Sequence, residues 1–254
     1  MHPSLPLDST LALPPVVSRE HWLRARKELL AEEKALTRAH DALNARRRRL
    51  PMVKVERSYT FAGPDGPATL VELFAGRRQL YVHHFMWHDH EQAHCPGCQK
   101  AAEMVFDNPA LRAFLVERDV TFVAISRAPL ERIQATRAER GWTFPWYSSA
   151  GNDFNYDFHA TLDAGRSPVL LNYREADELA AAGLPREEQT GDWPVNSVFL
   201  RDGETVYHTY SAFMRGLDPL FTPHNFLDLT PYGRQEAWED SPAGWPRQPK
   251  HGTN

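Results

Sequence analysis

The sequence holds only two cysteines in 254 residues, so a disulfide scaffold is excluded as its source of stability. It contains no apolar run approaching the roughly 18 residues that a membrane-spanning helix requires. It also lacks an excess of cations. Lys and Arg total 29 against 33 Asp and Glu, a formal net charge of -4, which provides no global positive field for nucleic acid. The first residues, MHPSLPLDSTLALPPVVS, lack the charged start and continuous apolar stretch of a secretory signal. No internal repeat is present. What remains is 42% hydrophobic and 24% charged, the balance of a soluble globular protein with neither a nucleic-acid nor a membrane partner. A cytoplasmic location is the default expectation, and there a thiol pair is kept for reactivity or for metal.

Both cysteines lie in HHFMWHDHEQAHCPGCQK, residues 83–100, beside five of the chain's 12 histidines. Two cysteines placed at random in a chain of this length would fall three apart in only about 1% of cases, yet here they form Cys95-Pro96-Gly97-Cys98. The spacing calls for a chemical explanation.

The surrounding pattern places the motif. Residues 18–49 read as one long helix, with Ser18 as N-cap, an apolar stripe of Trp22, Leu29, Leu36 and Leu43, and four arginines at its end. The run 80–87 reads as a buried central strand, 98–117 as a helix broken near Pro109, and 119–125 as the next buried strand. A helix over 129–140 stops at Gly141, another strand lies within WTFPWY, and SVFLRDGETVYHTY reads as a hairpin turning at Asp202-Gly203. VERSYTF and ATLVEL read as strands flanking a GPDGP turn, and 216–221 as a last helix. Strand, helix, strand makes a βαβ unit with parallel strands, and the dithiol sits at a strand's C-terminal end, opening a helix. That layout is thioredoxin-like.

A dithiol oxidoreductase needs one thiolate that attacks and one thiol that resolves the mixed disulfide. Cysteines three apart at a helix start put Cys95 at the exposed end and Cys98 one turn inside. The helix N-terminus favours the Cys95 thiolate, Pro96 suits the first helical position, and His94 is placed to add a cation or exchange a proton. No cofactor is required for such exchange. The rival chemistry is metal: copper or zinc held by Cys95, Cys98 and imidazoles from His84, His88 and His90. Because His83 and His84 project to opposite faces of a strand, at most one faces the site. For substrate contact the candidates are Arg127, after the second central strand, which could equally pair with a structural carboxylate, and Trp146, from an aromatic-rich stretch that is mostly core or loop packing but could wall a pocket.

The motifs SREHWLRARKELL, HFMW before CPGC, DVTFVAISRAPLERI, RGWTFPWYSS, DFNYDF, SVFLRDGETVYHTYS and RGLDPLFTPHNFLDLTPYGR run collinearly through the chain. On these it resembles a thioredoxin-like family of unknown function labelled a predicted dithiol–disulfide oxidoreductase. The resemblance implies an α/β thioredoxin-like fold, a central mixed sheet flanked by helices, with a long N-terminal helical arm and a helix-rich insertion. The expected divisions are a flexible segment 1–17, an arm 18–50, a domain 51–235 with an insertion at about 163–192, and a tail 236–254. The implied partner is a protein or small-molecule disulfide or thiol, and the arm is a candidate for homodimer formation. Thioredoxins face the dithiol with the start of a strand, which here falls on Val195 and its backbone edge. The Pro-x-x-x-Thr-x-x-Cys motif of peroxiredoxins is absent, since His88 and Gln92 occupy its proline and threonine positions.

Overall fold

A computed structural model describes residues 12–88 and 93–248, so His90 and most of the segment expected to be flexible lie outside the described residues. The chain forms two compact units, Leu50–Thr222 and Met1–Arg49 with Pro223–Asn254. In the smaller unit, α1 (Arg19–Arg47) starts where the Ser18 hydroxyl accepts from the His21 N–H, and its last turn carries Arg46 and Arg47 beside the negative helix end. No residue of α1 is buried, and Leu36 of its apolar stripe is 71% exposed.

The larger unit is built on an eight-stranded sheet. In chain order its strands are β1 (Val53–Lys54), β2 (Thr60–Gly63), β3 (Gly66–Thr69), β4 (Gln79–His84), β5 (Val120–Ser126), β6 (Trp146–Ser148), β7 (Val195–Asp202) and β8 (Thr205–Phe213). They lie side by side as β1-β8-β7-β4-β5-β6-β2-β3. β4 and β5 are parallel, as are β5 and β6, while β7 runs antiparallel to both β4 and β8. Between β4 and β5 the chain crosses over through α2 (Pro96–Ala101), a wide π turn at Ala102–Phe106 and α3 (Pro109–Val116). Asn108 caps α3, accepting from the N–H groups of Ala110 and Leu111, and Pro109 fits its first turn. α4 (Leu130–Arg140) joins β5 to β6 and stops at Gly141, whose φ of 68° is costly for a residue with a Cβ. The βαβ order, the hairpin and the flanking helices are as the sequence predicts.

Strand alternation sorts the core into two layers. Leu80, Val82, Val123 and Ile125 face Phe154, Phe158 and Phe199. Phe122 and Ala124 face the opposite layer, which holds Phe106, Trp142, Trp146 and Cys98.

Several local expectations give way. ATLVEL is strand only as far as Thr69, because the Glu72 carboxylate accepts from both the N–H and the hydroxyl of Thr69 and starts a 3-10 turn at Glu72–Phe74. The run 80–87 does not stay one strand: β4 ends at His84, and Trp87–His88 pairs separately with Ala93–His94. The inserted segment keeps one short helix, Ala176–Ala181, between two-stranded pairs, and the last expected helix is a 3-10 turn at Met214–Leu220.

β4 ends in two buried imidazoles. His83 Nδ1 lies 2.6 Å from Asn196 Oδ1, and His84 Nε2 lies 3.0 Å from the Ser197 hydroxyl. Burial pushes His83 down to about 4 and His84 down to about 3. An unfolded chain protonates both below about 6.5, whereas the folded chain resists, so this stabilisation is present above that pH and is lost as pH falls toward the folded values. Urea unfolding between pH 7 and pH 5 should lose roughly 2 kcal/mol for each histidine. His83→Gln should remove about half of that slope, and a stability that is flat over this range would contradict the buried neutral pair.

Candidate functional site

The dithiol sits at the head of the crossover. Cys95 is the N-cap residue of α2, with extended backbone (φ -61°, ψ 126°), and its N–H donates to the Met86 carbonyl at 3.1 Å. Pro96 follows in the first turn, where its missing donor is no loss. A Cβ added at Gly97 would lie 3.5 Å from Cys95 Sγ, so the sulfur rests over the first turn. The two thiols are not joined in a disulfide; Cys95 is partly exposed and Cys98 is buried.

One helical turn makes the two sulfurs unequal. The Cys98 thiol hydrogen-bonds to Cys95, and this, followed by burial, raises its pKa well above the usual thiol range. Cys98 belongs to the aromatic layer of Phe85, Trp87, Trp142 and Trp146. A buried protonated thiol that donates to its partner favours negative charge on the partner sulfur.

His94 is not the cation expected beside Cys95. Its ring packs among Trp87, Phe85 and Trp142, with centroid separations of 5.6, 5.9 and 6.1 Å. Burial, followed by the charge of Arg140, lowers its pKa from the ordinary value, so the imidazole is neutral at pH 7.

Each candidate substrate contact is engaged within the protein. Arg127 is bound to the protein itself: its Nε donates to Asp192 Oδ1 at 2.9 Å and its Nη1 to the Tyr156 hydroxyl at 2.8 Å. Trp146 is fully buried, and its indole N–H donates to the Ser126 hydroxyl at 2.9 Å. It is core, not pocket wall. Val195 is fully buried in β7, opposite His84 on one side and Phe213 on the other, so the ladder leaves it no free backbone edge.

Of the residues expected to hold a metal, His84 lies apart from the two cysteines. His84 points into the layer opposite the dithiol, where it stacks on Phe154 at 5.6 Å. It is His83, against Phe106 at 4.4 Å, that shares the dithiol's layer, and its Nδ1 is engaged by Asn196. The His88 side chain and all of His90 lie outside the described residues. Among the described residues no three His, Cys, Asp or Glu side chains converge on a point where copper or zinc would be held.

Sequence reasoning missed Asp192. Its carboxylate is almost completely buried and accepts from the Trp87 N–H (2.9 Å), from Arg127 Nε and from the Thr161 hydroxyl (2.6 Å). Its charge also acts on Cys98, opposing ionisation there. In the sequence it is one more acidic residue at the end of an insertion, with no spacing signal that singles it out. Removing Arg127 alone leaves this carboxylate buried without its counter-ion. Arg127→Met should therefore cost about 3–5 kcal/mol of unfolding free energy. The double variant Arg127→Met with Asp192→Asn should be less destabilised than the single one, and simple additivity in chemical denaturation would sink the pairing.

No helix among the described residues is long and apolar enough to cross a membrane. No curated protein matches the sequence. Among solved structures, the chain is similar to peroxidoxin BcpB of Mycobacterium tuberculosis at 15% identity and a TM-score of 0.42, over 68% of this chain and 94% of that one. It is similar to PrxQ of Xylella fastidiosa at 10% identity and 0.41, over 66% and 88%. A Bacteroides thetaiotaomicron chain provisionally described as a protein disulfide isomerase matches at 17% identity and 0.39, over 69% and 91%. The strand order identifies the core as thioredoxin-like without these weak overlaps: β4 lies between parallel β5 and antiparallel β7, and the dithiol follows β4 at a helix head. The family model that matches spans residues 11–251, and the chain belongs to that family, DUF899, described as a bacterial protein of unknown function.

Proposed function

We propose that this protein is a cytoplasmic thiol–disulfide oxidoreductase in which Cys95 is the nucleophile and Cys98 the resolving thiol. The observation that supports this most directly is the asymmetry of the pair: a partly exposed sulfur capping a helix, and behind it a buried thiol held protonated.

In the forward direction the Cys95 thiolate attacks one sulfur of a substrate disulfide. A bond forms between Cys95 Sγ and that sulfur, and the other substrate sulfur leaves as a thiolate. Cys98 then gives up its proton, which the departing thiolate or solvent takes, and attacks Cys95 Sγ. The Cys95–Cys98 disulfide closes and the second substrate thiol is released. Two electrons pass from the dithiol to the substrate, and a thiol reductant returns them by the reverse steps. The chemistry needs no cofactor beyond thiols, and the partner is a protein or small-molecule disulfide. Cys98 resists ionisation until the mixed disulfide removes the negative charge from Cys95, which orders the two steps.

Reduction of oxidised glutathione by the dithiol form, followed by thiol titration, tests the reading. Wild-type protein should lose two titratable thiols per chain. Cys95→Ser should fall to the uncatalysed background, while Cys98→Ser should accumulate a mixed disulfide at Cys95 that intact-mass spectrometry detects. Retention of exchange by Cys95→Ser, or a mixed disulfide on Cys98 instead, would refute the assigned roles.

A further inference from the structure

A second feature of the Leu50–Thr222 unit lies in the layer of the sheet opposite the dithiol. A cavity of about 370 Å³ opens beside β1 and β8, with Val55, Phe158, His159, Tyr173, His208 and Phe213 among its walls. This is the lower end of the size range for small-ligand sites, with room for one or two rings.

Two of those wall residues stand on left-handed backbone: His159 at φ 56° and Tyr173 at φ 62°. Residues with a Cβ are strained there and glycine is not. The fold thus carries an imidazole and a phenol ring where glycine would sit more easily, and both face one cavity. The Tyr173 ring meets Phe213 edge-on at 5.3 Å, and its hydroxyl donates to the Ser211 carbonyl at 3.1 Å. His208 is held by the Ser211 hydroxyl at 2.8 Å. Among the described residues the His159 ring has no hydrogen-bond partner.

The charged residues that line the cavity are already paired. Lys54 pairs with Glu56 at 2.9 Å, and Arg57 pairs with Asp157 at 2.8 Å and with Asp153 at 2.6 Å. The phenol of Tyr59 donates to Asp157. Burial lowers the pKa of both His159 and His208, so both rings are neutral at pH 7. An ion entering this cavity would lose its water without gaining a counter-charge. An apolar ring carrying one hydroxyl would lose little, and the open imidazole would meet the hydroxyl.

We propose that this cavity binds a small uncharged aromatic alcohol, with its ring among Phe158, Tyr173 and Phe213 and its hydroxyl hydrogen-bonded to His159. The site lies outside the dithiol chemistry, and the proposal stands whether or not that reading holds.

Titration of the full chain at pH 7 with 2-naphthol, followed by the naphthol fluorescence, tests it, with 2-naphthoate as the anionic counterpart. Saturable binding of one 2-naphthol per chain is expected, with 2-naphthoate weaker by roughly tenfold or more. His159→Gly removes the imidazole and relieves the backbone, so it should keep or raise Tm, weaken 2-naphthol roughly tenfold, and leave exchange with glutathione unchanged. No saturable binding, equal affinity for the naphthoate, undiminished binding by His159→Gly, or loss of exchange together with binding would each overturn the proposal. Should His159→Gly unfold, as circular dichroism would report, Tyr173→Gly is judged by the same tenfold criterion.

Discussion

The Asp192 carboxylate is where three separated segments meet: the chain leaving β4 at Trp87, the residue after β5 at Arg127, and the short pair containing Thr161. A carboxylate removed from water is tolerated only when donors replace the water it has lost, and here three do. Their arrangement holds the backbone at Trp87. The preceding carbonyl, that of Met86, is the acceptor for the Cys95 N–H and so sets the start of α2. The position of the Cys95 sulfur thus depends on an ion pair whose members both lie more than thirty residues after it in sequence.

Around that anchor the sheet acts as a partition. Successive residues of β4 enter opposite layers, so the adjacent histidines His83 and His84 serve different surroundings: one packs on Phe106 in the dithiol's layer, the other on Phe154 in the second layer. The same partition separates the dithiol from the cavity at His159 and His208. A helix turn makes a finer distinction than a strand. Cys95 and Cys98 share a motif, yet the first turn of α2 leaves one at the surface and commits the other to an aromatic cluster. Their unequal proton affinities follow from this difference in placement, since burial and the hydrogen bond between them act in the same direction on Cys98.

Elements whose local signals agree with one another were legible from the sequence. Ser18 and the arginines bound α1, Asn108-Pro109 starts α3, Gly141 ends α4, and Asp202-Gly203 turns the β7–β8 hairpin. Each is a short-range preference of backbone or cap. The Cys95–Cys98 spacing and its place after β4 were equally plain. Where competing local bonds intervene, the pattern misleads: Glu72 captures Thr69 and cuts a strand short. Charge was the least readable feature. Arg127 read equally as a ligand for a substrate anion and as the structural partner of a carboxylate, because nothing in its neighbourhood of sequence names Asp192. His94 looked like a cation because its sequence neighbours are polar, whereas its spatial neighbours are Phe85, Trp87 and Trp142. Val195 and Trp146 lie in strands of the sheet that carries the dithiol, and their complete burial is a property of what packs over them.

The sequence by itself determined the parallel βαβ core, the helix-opening dithiol and the order of its two cysteines, because these rest on periodicity, caps and spacing within a few residues. Only the tertiary structure decided which imidazole shares the dithiol's layer, which carboxylate Arg127 binds, and that His159 and Tyr173 face one cavity. Those outcomes depend on side chains brought together from distant parts of the chain, where burial and the geometry of a single partner outweigh any local preference.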